Sequence, residues 1–249
     1  MPTALLYGLI STLVISIIGQ IGFFVFILKD NILRKILIFF ISFSAGSLIG
    51  GAFFHLLPEV IEKRDDVLMV FVWVIAGFCL FFIMEKFLRW HHCHDKECGE
   101  KIHLGQINMV GDGIHNFLDG IIVMAAFVVN PALGLATTIS IISHEIPQEL
   151  GDFGVLLYSG YNKTKAIIYN FLLSAVAILG ALVGYFLSNE ISGFTSIIIP
   201  LAAGGFFYIA ASDFIPEMQK EINAKSSILN FLVFILALVF MFFIKILGL

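Results

Sequence analysis

The chain has 249 residues, of which 59% are hydrophobic and only 13% are charged, and its mean hydropathy is +1.01. Soluble domains carry about a quarter charged residues, so this composition excludes an ordinary soluble domain. The 14 basic and 18 acidic residues give a formal net charge of −4, and no nucleic-acid partner is expected.

Segments that lack Lys and Arg recur at the length of about 20 residues that an α-helix needs to cross a bilayer. The sequence predicts eight such spans, at 5–28, 36–57, 67–84, 104–129, 132–158, 166–187, 194–215 and 228–243. No soluble domain remains between them. Residues 1–249 are therefore expected to form a single all-α, polytopic transmembrane domain, with the lipid bilayer as its first partner.

Helix 2 is the first predicted span with polar residues in a distinctive pattern. It contains AGSLIGGAFFHLLPE, which places His55 and Glu59 toward its end. Its Gly46 and Gly50 form a GxxxG pair, and helix 6 holds a second pair at Gly180 and Gly184. Such pairs indicate close helix packing, either inside the fold or between two copies in a homodimer.

The loop at 91–103, between helices 3 and 4, is rich in His and Cys. Its candidate metal ligands are His91, His92, Cys93, His94, Cys98 and His103. The Cys-x4-Cys spacing is not that of a rigid zinc ribbon. The hypothesis is labile metal binding on the cytoplasmic side, and the alternative is a solvated loop without a metal.

Helices 4 and 5 each have one polar face. At 100° per residue, the polar side chains fall within about 100° on helix 4 and about 140° on helix 5. These side chains are Asn108, Asp112, His115, Asn116 and Asp119 on helix 4, and His144, Glu145, Gln148, Glu149 and Asp152 on helix 5. The short connection 129–131 makes the two helices antiparallel neighbours, so the faces are expected to meet near the bilayer midplane. Pro147 should free the carbonyl of Ser143 within helix 5.

Six acidic residues lie inside the predicted spans with no Lys or Arg at a matching depth. They are Asp112, Asp119, Glu145, Glu149, Asp152 and Asp213. Each charge costs about 2.5–3.5 kcal/mol at a helix centre on insertion scales, so the compensating positive charge comes from protons or from a bound cation.

The spacing of the histidines favours a metal over a proton relay. His115 and Asp119 stand at i, i+4, as do His144 and Gln148, so each pair presents two side chains to one point. Imidazole and carboxylate ligands suit zinc and similar divalent cations. Asn116 and Glu145, one step round each helix, could hold a second ion. Proton-coupled transport of an organic solute stays open as an alternative.

Helix 7 contains AGGFFYIAASDFIPE, which aligns with helix 2 so that Pro58–Glu59 matches Pro216–Glu217 and His55 matches Asp213. Helices 2 and 7 run in opposite directions, as the inverted repeats of secondary transporters require. Helices 1–3 and 6–8 are then the repeats of a 3+2+3 arrangement. The predicted pathway residues are His55, Glu59, Asp112, Glu149, Asp152, Asp213 and Glu217, although helix termination would also explain Glu59 and Glu217.

Eleven of the 14 Lys and Arg residues fall in the odd-numbered loops. The positive-inside rule then places those loops in the cytoplasm and both termini outside, with the plasma (inner) membrane as the expected location. His144–Glu145 lacks the second His of an HExxH motif. An intramembrane metal-dependent enzyme is therefore a weaker alternative, and no enzymatic activity is expected.

The motifs HNFLDG at 115–120 and HEIPQE at 144–149 resemble those of the ZIP (Zrt/Irt-like) family of metal transporters. The likeness extends to HLLPE in helix 2, SDFIPE in helix 7, the eight spans and the His-rich loop. The resemblance implies uptake of Zn2+ toward the cytosol as transported substrate, with Fe2+, Mn2+ and Cd2+ as further candidates and no organic cofactor. It implies metal ligands at His115, Asn116, Asp119, His144, Glu145 and Gln148.

The sequence departs from the family pattern in three respects. Gln148 stands where many relatives have a third His, and Gly51 stands where an acid is common. Helix 6 has no acid, whereas some relatives use one to complete a second metal site. These departures put a two-metal site in doubt.

Overall fold

The computed structural model describes the backbone of residues 2–20, 30–63, 66–90 and 100–248, and the side chains of 3–20, 37–63, 66–86 and 105–248. Regular structure in these residues is entirely helical and is grouped here into eight helices. They are α1 (Pro2–Gly19), α2 (Asp30–Gly50, Gly51–Leu56 and Leu57–Ile61), α3 (Val67–Trp90), α4 (Glu100–Val129), α5 (Pro131–Tyr158), α6 (Lys163–Ser174 and Val176–Glu190), α7 (Thr195–Ile209, Ala210–Phe214 and Ile215–Gln219) and α8 (Ala224–Ile246).

Six helices of the described chain are long and apolar enough to cross a membrane, namely α2, α3, α4, α6, α7 and α8. α1 is apolar over only Thr3–Gly19, and residues 21–28 of the predicted first span lie outside the described residues. α5 carries Glu145, Glu149 and Asp152 in consecutive turns. The prediction of an all-helical membrane protein is confirmed, with six of the eight predicted spans.

Two helix boundaries differ from those predicted. α4 begins at Glu100 rather than at 104, so His103 belongs to this helix and not to a loop. The side chain of His103 and the other predicted loop ligands at 91–99 lie outside the described residues. α6 is interrupted at Ala175, where the sequence predicted one continuous helix.

α2 and α7 share an unusual local geometry. Each contains a π-helical segment, Gly51–Leu56 in α2 and Ala210–Phe214 in α7. Each segment is followed by a short α-helix that has a proline, Pro58 or Pro216, as its second residue. π-Helical turns are rare and are frequent at functional sites. The two segments contain His55 and Asp213, the residues that the alignment of helices 2 and 7 pairs.

Glycines allow the closest helix contacts. α2 packs on α8 and α3 packs on α7. A β-carbon on Gly46 would collide with a backbone carbonyl of α8, and one on Gly204 with a backbone carbonyl of α3. α4 and α6 meet in the same way at Gly120 and Gly180. The GxxxG pairs that begin at Gly46 and Gly180 therefore serve contacts inside the fold, so they give no support to a homodimer.

α4 and α5 are antiparallel neighbours joined by the single residue Asn130. Asn130 is extended, and its Oδ1 accepts a hydrogen bond of 2.8 Å from the N–H of Leu133. This bond caps the start of α5. Pro131 occupies the first position of the helix, where no N–H is needed. The tight connection sets the polar faces of α4 and α5 against each other, as the sequence predicted.

Pro147 leaves α5 continuous. The carbonyl of Ser143, which loses its helical partner to the proline, accepts a hydrogen bond from the hydroxyl of Ser44 in α2. The lost bond within the helix is thus replaced by one between helices, as backbone at membrane depth requires.

Candidate metal centre

Four side chains meet midway along α4 and α5: His115, Asp119, His144 and Glu145. One ligand atom from each lies within 4.8 Å of the other three. His144 and Glu145 are fully buried, and His115, the most accessible of the four, is only 7% exposed. Within the described ranges, no other group of His, Cys, Asp and Glu converges in this way.

The separations between these atoms are close to those of a tetrahedral zinc site. The Nε2 atoms of His115 and His144 are 3.3 Å apart. Oδ2 of Asp119 lies 3.5 Å and 3.1 Å from them, and Oε1 of Glu145 lies 3.6 Å and 4.0 Å from them. Ligand atoms about 2.0–2.1 Å from zinc, at the corners of a tetrahedron, are about 3.3–3.4 Å apart. Four of these five separations lie within about 0.3 Å of this value, and the one from Glu145 to His144 is about 0.6 Å longer.

The charge of the centre matches a divalent cation. Asp119 and Glu145 bring two carboxylates, and no Lys or Arg of the described chain pairs with either of them. Neither carboxylate oxygen of Glu145 has a hydrogen-bond partner among the described residues. An uncompensated buried carboxylate is strongly unfavourable. Two neutral imidazoles and two carboxylates bring a doubly charged cation to electrical neutrality.

The ring of His144 is held in place by a hydrogen bond at its second nitrogen. Nδ1 lies 3.1 Å from the carbonyl oxygen of Ser140. A carbonyl only accepts, so Nδ1 is the donor in this contact, and Nε2 faces the cluster, 3.1 Å from Oδ2 of Asp119. The rings of His144 and His115 pack edge-on against Phe206 and Phe81. These two buried phenylalanines give the centre an apolar wall.

Two further predicted ligands lie beside the four. Nδ2 of Asn116 donates to Oδ1 of Asp112 at 2.7 Å, while its own Oδ1 is buried and has no partner in the described part of the chain. Gln148 is half-buried and lines a cavity with His115. The sequence paired His144 with Gln148, whereas in the structure Glu145 lies in the cluster with His144. The roles of Asn116 and Gln148 as ligands stay predictions.

A cavity of about 420 Å³ extends from His115. Three predicted pathway residues, Asp112, Asp152 and Asp213, line it together with Gln148. Its walls come from the ends of α3, α5 and α7 and from the first half of α4. The cavity therefore lies in the half of the molecule that contains the α3–α4, α5–α6 and α7–α8 connections.

The other predicted pathway residues lie away from this cavity. His55 is buried in α2, with Nε2 2.9 Å from a backbone carbonyl of α8. Glu59 forms an ion pair with Lys63, two residues after the end of α2, and Glu217 forms one with Lys220, which caps α7. Glu149 faces α6. For these four residues a place on the pathway stays a prediction.

The cavity wall also contains a contact that sequence reasoning missed. The hydroxyl of Tyr208 in α7 donates a hydrogen bond to Oε2 of Glu85 in α3. Glu85 directly follows the predicted span 67–84 and precedes Lys86, so it had the pattern of an ordinary charged helix end. The tyrosine carried no signal, because aromatic residues occur throughout the chain.

Comparison with known proteins shows similarity along most of the chain. A family model described as "ZIP Zinc transporter" matches residues 3–101 and 89–245. Zinc transporter zipt-7.1 of Caenorhabditis briggsae is 30% identical over 241 residues, and zinc transporter ZIP13 of Pongo abelii is 32% identical over 197 residues, each alignment covering 73% of this chain. The zinc transporter ZIP13 homolog of Drosophila melanogaster is 29% identical over 277 residues and covers 85% of it.

This chain spans only part of the length of each of these relatives. The aligned region covers 62% of the C. briggsae protein and 58% of the P. abelii protein, but 77% of the D. melanogaster protein.

Proposed function

The chain belongs to the ZIP zinc transporter family, and from this premise we propose that it carries divalent metal cations, zinc first among them, across a membrane. The convergence of His115, Asp119, His144 and Glu145 inside a bundle of apolar helices carries the proposal. The predicted ligands Asn116 and Gln148 flank the ion. Fe2+, Mn2+ and Cd2+ are further candidate substrates, because they accept the same nitrogen and oxygen ligands.

The surroundings of the centre suit transport better than storage of a metal. On one side lies the cavity lined by Asp112, Asp152 and Asp213. On the other side α4 continues with seven consecutive buried apolar residues, Ile121, Ile122, Val123, Met124, Ala125, Ala126 and Phe127. A central site that communicates with one face and is closed toward the other is what alternating access requires.

The proposed architecture is eight spans in a 3+2+3 arrangement, with α1–α3 and α6–α8 as inverted repeats. Two observations support it. The α2–α8 and α3–α7 contacts are equivalent under such a symmetry, and the aligned residues Gly46 and Gly204 make those two contacts. The π-helical segments that contain His55 and Asp213 also occupy aligned positions. α1 and α5 then complete the eight, with α5 spanning the membrane because its acids face protein and not lipid.

The proposed sidedness places both termini outside and the cavity on the cytoplasmic side of the plasma membrane. The cavity lies in the half of the molecule with the lysine-rich, odd-numbered connections, which the positive-inside rule assigns to the cytoplasm. Metal would leave the centre past Asp112 and Asp152 to Asp213. The His-rich segment at 91–103 would lie on the same side, where it could bind the released metal.

Zinc uptake into proteoliposomes tests the function. Vesicles that contain only this protein and an internal zinc-sensitive dye should gain zinc signal well above protein-free vesicles, and the other divalent metals should compete. Zinc that binds the protein without entering the vesicle would contradict transport and favour an intramembrane metal-dependent enzyme. Accumulation of an organic solute that needs no metal would favour the proton-coupled carrier.

Labelling from one face at a time tests the sidedness. In a variant without Cys79, Cys93 and Cys98, we expect Glu59→Cys to react with an impermeant thiol reagent added outside, and Asp213→Cys to react only from the cytoplasmic face. The reason is that the two residues lie at opposite ends of the proposed pathway. Zinc in the cavity should also slow the labelling of Asp213→Cys. Labelling of both positions from the same face would contradict both the inverted repeat and the sidedness.

A further inference from the structure

A second buried polar cluster lies between α5 and α6, away from the cavity. It consists of Glu149, one helical turn after Glu145, with Asn170 and Ser174 of α6. All three are at most 1% exposed. None of them belongs to the predicted ligand set, and the transport mechanism proposed above does not use Asn170 or Ser174.

The three side chains are in contact, and each keeps one buried oxygen atom without a partner among the described residues. Nδ2 of Asn170 donates hydrogen bonds to Oε2 of Glu149 and, at 3.3 Å, to its backbone carbonyl. The hydroxyl of Ser174 lies beside the same carboxylate without a hydrogen bond of good geometry. Oε1 of Glu149, Oδ1 of Asn170 and Oγ of Ser174 are all buried, and none has a hydrogen-bond partner in the part of the chain that the structure describes.

The break in α6 lies at this cluster. The interruption is the single residue Ala175, which keeps αR backbone angles and whose N–H still bonds to the carbonyl of Phe171 at 3.0 Å.

α1 closes the cluster on its third side. The hydroxyl of Ser16 donates to the backbone carbonyl of Ser174 at 2.9 Å. A β-carbon on Gly19 would lie 3.6 Å from Oε1 of Glu149, so the backbone of α1 passes directly over the carboxylate. The next residue, Gln20, also has a buried side-chain amide without a partner among the described residues.

The atoms available for binding indicate which kind of ion the cluster would hold. Oxygen is the only unpartnered atom type of Glu149, Asn170 and Ser174, and oxygen ligands suit hard cations. Glu149 is the one charged group, and a singly charged cation neutralises it, whereas a divalent ion would leave an excess buried charge. A proton bound to Glu149 would satisfy only one of the three unpartnered oxygen atoms.

We propose that Glu149, Asn170 and Ser174 bind a monovalent alkali cation, sodium or potassium, in the enclosure between α1, α5 and α6. This site is separate from the metal centre but shares α5 with it. Because Glu145 and Glu149 are one turn apart on the same helix, occupancy of either site alters the position of α5 at the other. Such coupling is reciprocal by linkage.

Thermal unfolding of the full chain in detergent tests the proposal without zinc and without transport. Metal-free protein is prepared with the tetramethylammonium salt of EDTA, and its Tm is compared in NaCl, KCl and choline chloride at equal ionic strength. A ligand held at about ten times its Kd should raise Tm by about 3 °C or more. We expect this rise in NaCl or in KCl, and the salt that gives it identifies the ion.

Variants locate the effect. Glu149→Gln and Asn170→Ala should each abolish the difference between the alkali salts and choline. Asn230→Ala is the matched control, because Asn230 is also a buried amide with an unpartnered nitrogen but lies in α8. It should retain the difference. Equal Tm values in all three salts, or a difference that persists in Glu149→Gln, would overturn the proposal. If Glu149→Gln does not fold, Ser174→Ala gives the same comparison.

Discussion

Replacement of Asp119 by Asn should abolish zinc uptake and weaken zinc binding to the purified protein by more than about 100-fold, since loss of an outer-shell partner alone costs 10–100-fold. Oδ2 of Asp119 is 3.1 Å from Nε2 of His144 and 3.5 Å from that of His115. Asn keeps the volume of the side chain but removes one of the two charges that balance a divalent cation. We expect the same loss of uptake in His115→Ala.

The unfolding temperature of the zinc-free variant shows whether Asp119→Asn loses a metal ligand or fails to fold. Without metal, Asp119→Asn should unfold at a temperature equal to or above that of the unsubstituted chain, because the substitution removes a buried charge. Glu62→Gln is the control, since Glu62 is an exposed acid at the end of α2. It should leave zinc binding and uptake unchanged. Undiminished uptake by Asp119→Asn at matched expression would refute the assignment of the centre.

Gly120→Ala should destabilise the protein by about 2–3 kcal/mol, as overpacking in a well-packed interior does. A β-carbon at Gly120 would overlap the carbonyl oxygen of Ala177 and lie 2.9 Å from the backbone nitrogen of Ala181. Both obstacles are backbone atoms, so the methyl group can fit only if α4 and α6 separate. We expect a Tm lower by about 5–10 °C, and weaker zinc binding, because Asp119 is the preceding residue.

A matched substitution on α5 shows whether the effect comes from the helix contact. A β-carbon at Gly151 meets no atom within 4 Å. Gly151→Ala should therefore be neutral or stabilising, since Ala is favoured over Gly inside a helix by about 1 kcal/mol. A Tm for Gly120→Ala equal to that of Gly151→Ala would show that α4 and α6 do not pack in backbone contact.

The sequence alone determined the features that depend on local geometry. Helical periodicity placed His115 and Asp119 on one face of α4, and the tight connection at Asn130 set α4 against α5. The hydropathy pattern determined the all-helical membrane class. Proline chemistry identified the freed carbonyl of Ser143. Each of these results follows from residues within a few positions of one another, where the backbone geometry of a helix is fixed.

Only the tertiary structure decided which distant groups meet. Adjacent residues on a helix point about 100° apart, so the axial rotation of α5 determines that Glu145 reaches the centre with His144 while Gln148 lines the cavity. The same rotation directs Glu149 to Asn170. A GxxxG pair indicates that a helix packs closely against another helix, but it does not identify that helix. The structure shows that the partner of the α6 pair is α4, at Gly120. Such contacts depend on how whole helices cross, and no local pattern encodes the crossing.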